Sequence, residues 1–146
     1  MITQPNVIGS RVIYDSGEKV VVEFGAYYTA ACTSAVTVVV NPKALKYANT
    51  QQYCGVSVDS IQYHSSMSGI VSLEWEGTTT NSSFFVAGLG SGTMPLGVTN
   101  SAVGPTGNVR VQIINAGAND TFTMTMTLLK AEGFANASAW FGDGRP

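Results

Sequence analysis

The chain has 146 residues, of which 45% are apolar and only 11% charged, with a formal net charge of −2 and an isoelectric point near 5.2. An ordinary globular domain carries about 25% charged residues, so the shortage of charge is the strongest global signal. It does not mark a membrane helix, because no run of about 18 apolar residues exists, nor a nucleic-acid binder, because Arg11, Lys19, Lys43, Lys46, Arg110, Lys130 and Arg145 are scattered and form no basic stripe for phosphates.

Residues 1–9 read as an N-terminal arm. They lack a basic segment followed by a hydrophobic block, so no secretory signal is expected, and Met1 favours intracellular synthesis. Strands are then predicted over 10–15, 18–28, 35–40, 56–64, 69–76, 83–89, 108–115 and 120–131. The basis is a residue period of two, the mark of a strand with one dry and one wet face. Val20, Val22 and Phe24 share a parity in "EKVVVEF", as do Val71, Leu73 and Trp75 in "GIVSLEWEG" and Val109, Val111 and Ile113 in "NVRVQII". In "VSVDSIQYH" the parity changes between Val58 and Ile61, which predicts a β-bulge near Asp59-Ser60. "SAVTVVV" is apolar on both faces at its end and reads as a more deeply buried strand, and "SSFFVAGL" likewise.

Turn signals at Asp15-Ser16-Gly17, Asn41-Pro42, Gly77 to Ser82 and Ala116 to Asp120 separate the strands. One helical turn is expected after Pro42. Residues 88–107 hold six glycines and no charge and read as a long loop. The fold class is therefore all-β: an antiparallel β-sandwich, jelly-roll-like, of about eight strands spanning 10–131. A C-terminal arm, 132–146, carries Phe134, Trp140 and Phe141, which either pack back on their own sandwich or dock on a neighbour.

Chemistry is sparse. His64 is the single histidine, and a lone strand histidine is read as structural rather than as part of a nucleophile–base set. Glu74 and Glu76 lie two residues apart on one strand face and read as a solvated or interface face; acid–base glycosidase work would also need a cleft with two walls. "GLGSG" is followed by neither Lys-Ser/Thr nor a helix, so it is no phosphate loop. Asn81, Asn119 and Asn136 begin glycosylation patterns that chance explains in a chain rich in Asn, Ser and Thr. Cys32 and Cys54 either pair or stay as two buried free thiols, the second being the expectation in a cytosolic chain. No zinc site and no cofactor are expected. Trp75 is in phase with the core, and Tyr28 is the better candidate for an exposed aromatic.

The order "VDSIQYHSSMSGIVSLEWEG", a glycine-rich loop, then "GPTGNVRVQIINAGANDTFTMTMTLLK" resembles a group of small tailed-phage virion proteins, the auxiliary capsid type called decoration or cement proteins. The resemblance covers roughly 56–130. It rests on a hairpin end at Leu73 to Trp75, a turn at Gly104 to Gly107, and a last alternating strand from Asp120 to Lys130. It implies a non-enzymatic subunit on the virion capsid surface, assembled in the host cytoplasm. Its partners would be the major capsid protein and further copies of itself, a trimer before a dimer.

Under that reading the uncharged wet face of the last strand acquires a purpose. Thr121, Thr123, Thr125 and Thr127 offer hydroxyls that both donate and accept hydrogen bonds at modest desolvation cost, where buried unpaired charge would cost several kcal/mol. These threonines, with Phe134, Trp140, Phe141 and Arg145, are the expected capsid or subunit contacts. The alternative is a carbohydrate- or receptor-binding β-sandwich module of a phage tail or secreted protein, which exposed coplanar aromatics would favour. A small hydrolase is the third reading.

Overall fold

The computed structural model of the chain describes residues 7–134. Among them are nine strands: β1 Val7–Asp15, β2 Lys19–Tyr27, β3 Cys32–Val40, β4 Gly55–Ser65, β5 Ile70–Thr80, β6 Ser82–Ala87, β7 Gly90–Val98, β8 Val103–Ala116 and β9 Thr121–Glu132. One 3-10 turn, Pro42–Ala44, follows β3, where the Asn41 side chain accepts from the Lys43 N–H. Sheet A has the order β1-β2-β9-β4-β7 and sheet B the order β3-β8-β5-β6, with every pair antiparallel. Strands β2 to β9 thus form two four-stranded sheets, 2-9-4-7 and 3-8-5-6, which is the double Greek key of a jelly roll. β1 adds a fifth strand to the edge of sheet A.

The alternation puts the core where the parity predicts. Val20, Val22, Phe24 and Ala26 from β2, Phe122, Met124, Met126 and Leu128 from β9, Val71, Leu73 and Trp75 from β5, and Val109, Val111 and Ile113 from β8 are all buried between the sheets. Burying each such large side chain stabilises by about 1.5–3 kcal/mol. Tyr63 of sheet A meets Phe85 of sheet B edge-on at 5.2 Å between ring centroids, so the two layers interlock. The expected bulge is present. β4 slips register between Val58 and Ser60 against both β7 and β9, which lets Val58 and Ile61 both point inward across an odd spacing.

Several expectations are corrected. Residues 88–107 are not a loop but β7 and the start of β8. Gly92, Met94, Leu96 and Val98 of β7 alternate with more exposed Ser91, Thr93, Pro95 and Gly97, and Pro95 is tolerated because β7 is an edge strand. Gly104 to Gly107 lies within β8 rather than in a turn, and Leu73 to Trp75 lies in mid-strand, the β5–β6 hairpin turning at Asn81. β3 is buried at its end, at Val39 and Val40, but the outer face of sheet B leaves Val36 and Val38 of β3 and Val86 of β6 exposed. The first strand starts at Val7 and the last ends at Glu132, so the sandwich reaches past the 10–131 limits on both sides. Cys32 and Cys54 are both free thiols, as expected, but only Cys54 is buried, Cys32 being half-buried.

Tyr28 is also corrected: it is fully buried, and Tyr27 is the exposed one. Position 28 continues the inward parity of 20, 22, 24 and 26. Burial, with Cys32 nearby as the lesser cause, pushes the Tyr28 phenol above its ordinary value. Its hydroxyl finds no hydrogen-bond partner among the described residues. Tyr28→Phe is therefore expected to leave the fold intact and to match or exceed the parent's stability by up to about 1 kcal/mol, because it deletes an unpaid desolvation. Urea denaturation would show it, and a loss above that size would mean the hydroxyl is bonded.

Candidate functional site

Antiparallel register sets cross-strand neighbours side by side. Gly9, Gly25, Thr123, His64 and Ser91 lie abreast across all five strands of sheet A, and Arg11, Glu23, Thr125, Gln62 and Thr93 form the next row. Thr127 continues the outward line between Val21 and Ser60, and Thr121 stands opposite Tyr27. The four predicted threonines therefore occupy the middle of the outer face of sheet A, between β2 and β4. Thr121 is tied down there by a 2.9 Å hydrogen bond between its hydroxyl and that of Ser66.

This face is not flat. A groove of about 810 Å³ opens on it, bordered by Arg11, Glu23, Tyr27, Gln62, His64 and Thr125. Its depth comes from the neighbouring pair Gly9 and Gly25, where a Cβ would meet nothing within 4 Å. Arg11 Nε donates to Glu23 Oε1 at 2.9 Å, and both side chains are well exposed, so the two charges cancel and contribute at most about 1 kcal/mol to stability. The Tyr27 hydroxyl donates to Asn119 Oδ1 at 3.3 Å, which fixes the ring at one end of the groove.

The Asn119 turn is itself held by Asp120, whose Oδ2 accepts from Ser68 N at 2.9 Å, Ser68 Oγ at 2.8 Å and Gly117 N at 2.6 Å. The backbone N–H of Ser68, and next that of Gly117, keep this carboxyl below its ordinary value of 3.8. Sequence reasoning missed the groove. The available signal was glycine at two strand positions in phase with the wet face.

The outer face of sheet B differs. Val36, Gln112, Ser72 and Val86 form one row across its four strands, and Val38, Arg110, Glu74 and Ser83 the next. Exposed valines thus rim a polar midline, with Ile114 and the exposed Ile70 on neighbouring strands at one end and Leu89, 81% exposed, beyond β6.

Glu74 and Glu76 sit on this face without forming a two-walled carboxylate site. Arg110 Nε donates to Glu74 Oε1 at 2.8 Å, while Glu76 Oε1 accepts from Thr106 Oγ1 at 2.8 Å and Asn108 Nδ2 at 3.1 Å. Among the described residues no three His, Cys, Asp or Glu side chains gather to hold a metal ion, and no helix is long and apolar enough to cross a membrane.

Of the tail residues expected to make contacts, Trp140, Phe141 and Arg145 lie outside the described residues. Phe134 bridges to Ala48 and packs on its own sandwich, with its ring 5.2 Å from Lys130 Nζ. That is the first of the two fates open to it. No protein-family model matches the chain, and no curated protein matches it. Fold and site define a jelly-roll sandwich with a neutral hydroxyl face on one side and an apolar-rimmed face on the other.

Proposed function

We propose that this chain is a non-enzymatic structural protein of a virion: a decoration or cement subunit that binds and stabilises the major capsid shell of a tailed phage. Its place would be the capsid surface, reached by assembly in the host cytoplasm, as a homo-oligomer with a trimer favoured over a dimer. The observation that supports this reading most is the outer face of sheet B, where Val36, Ile70 and Val86 are 48%, 48% and 60% exposed, with Leu89, 81% exposed, in the connection that follows β6. Apolar side chains held this far out on a regular sheet lose free energy in water and regain it under a partner.

The four strands span about 20 Å by 30 Å. That footprint is of the order of the roughly 800 Å² each partner contributes to a standard interface. Jelly rolls also serve as lectin domains, so the fold by itself assigns no role.

The test is cosedimentation with undecorated heads of the parent virus, beside light scattering of the free chain. The chain is expected to pellet with heads as an oligomer. The double variant Val36→Lys/Val86→Lys should stay folded, since both positions are exposed, and lose at least about tenfold in shell affinity, the equivalent of 1.4 kcal/mol. A monomer that ignores the shell would sink the proposal. Equal pelleting of the variant would overturn the assignment of this face.

A further inference from the structure

The groove on sheet A carries an inference independent of the shell reading. Glycine weakens a strand interior, and where it occurs there it marks a bulge or a close approach by another group. Gly9 and Gly25 are paired in regular register with no bulge between them, and a Cβ at either would meet nothing within 4 Å among the described residues. Their missing side chains create a recess that no described residue fills.

What the recess can hold follows from its border. Thr123 and Thr125 bring hydroxyls and Gln62 an amide, groups that donate as well as accept, and His64 brings an imidazole. Tyr27, fixed by Asn119, supplies an aromatic wall beside the bare glycine backbone. Among the described residues, the acidic and basic side chains on the border are Arg11 and Glu23, which neutralise one another. A phosphate or carboxylate ligand would find no unpaired cation here, and a purely apolar ligand would strand the hydroxyls and the amide. A pyranose suits both requirements: its hydroxyls donate and accept, and its C–H face lies against an aromatic ring. The volume of about 810 Å³ falls within the roughly 300–1,000 Å³ of small-molecule sites.

We infer that the groove formed by Gly9, Gly25, Tyr27, Gln62, His64 and Thr123 on the outer face of sheet A is a binding site for a neutral oligosaccharide. Sugar units would lie across the strands, with Tyr27 at one end and Gln62 and His64 supplying the hydrogen bonds that fix orientation.

The test uses the full chain against arrayed neutral glycans, followed by calorimetric titration with the strongest hit from cello-, malto-, chito-, manno- and galacto-oligosaccharides. Gly25→Val is the decisive variant. Its Cβ meets nothing within 4 Å among the described residues, its two methyls enter the recess, and valine suits a strand, so the protein should keep its β spectrum and its melting temperature. Affinity for the glycan should fall at least tenfold. Thr127→Val, on the same face but beyond the groove, should bind as the parent does. Absence of binding to every arrayed glycan, or a hit whose affinity Gly25→Val leaves unchanged, overturns the inference. Cosedimentation of Gly25→Val with heads reads out the shell proposal separately.

Discussion

Lys130→Met should lower the free energy of unfolding by about 3–5 kcal/mol, the usual cost of breaking a buried ion pair by removing one partner. The Lys130 side chain is only 1% exposed. Its ammonium donates to Asp15 Oδ1 at 2.6 Å, to the Ser16 carbonyl at 2.5 Å and to the Lys46 carbonyl at 2.8 Å, so all three protons are used. The rings of Tyr47 and Phe134 flank it, each with its centroid 5.2 Å away, adding attraction to the charge.

One group thus gathers the β1–β2 turn, the segment after the 3-10 turn and the end of β9. Methionine conserves volume but takes the ammonium from Asp15 Oδ1 and from two carbonyls, leaving Asp15 only the Lys46 N–H on its Oδ2. For a chain of this size each kcal/mol is worth about 2–4 °C, so the melting temperature should drop by roughly 6–20 °C. Thermal denaturation followed by circular dichroism measures it. A drop under about 3 °C would mean that water or a neighbouring group replaces the ammonium at little cost.

Gly107→Ala is expected to cost about 3 kcal/mol or more. Gly107 has φ +94°, and an added Cβ would run into the carbonyl oxygen of Cys54. The backbone conformation alone costs about 1–3 kcal/mol for a residue with a side chain. The clash is with main chain, which cannot rotate away as a side chain would. β8 passes close to the segment entering β4 at this point, and glycine permits the approach. Comparing Gly107→Ala with Gly25→Val in one chemical denaturation series separates two kinds of strand glycine. The first should lose much of the 5–15 kcal/mol typical of a domain, and the second should lose none. Equal stability of the two variants would remove the distinction.

Much of this was legible in the residues. The parity of β2, β5, β8 and β9 identified the buried set, the phase change in "VSVDSIQYH" marked the β4 bulge, and Asn41-Pro42 marked the short turn, because each signal is local. Tyr28 was legible in principle, since it shares the inward parity of β2. β7 was legible too, in Met94, Leu96 and Val98, but its glycines and Pro95 resemble loop residues unless one knows that the strand lies at an edge.

Period-two alternation, written residue by residue, is enough to specify a sandwich of antiparallel strands with a dry interior and outsides poor in charge. The folded arrangement brought Val36, Val38 and Val86 together on one exposed face and stood Gly9 and Gly25 abreast. It also decided that Lys130 closes on Asp15 from 115 residues away. These depend on register and strand order, which pair residues distant in the chain, and composition carries no record of who will stand beside whom.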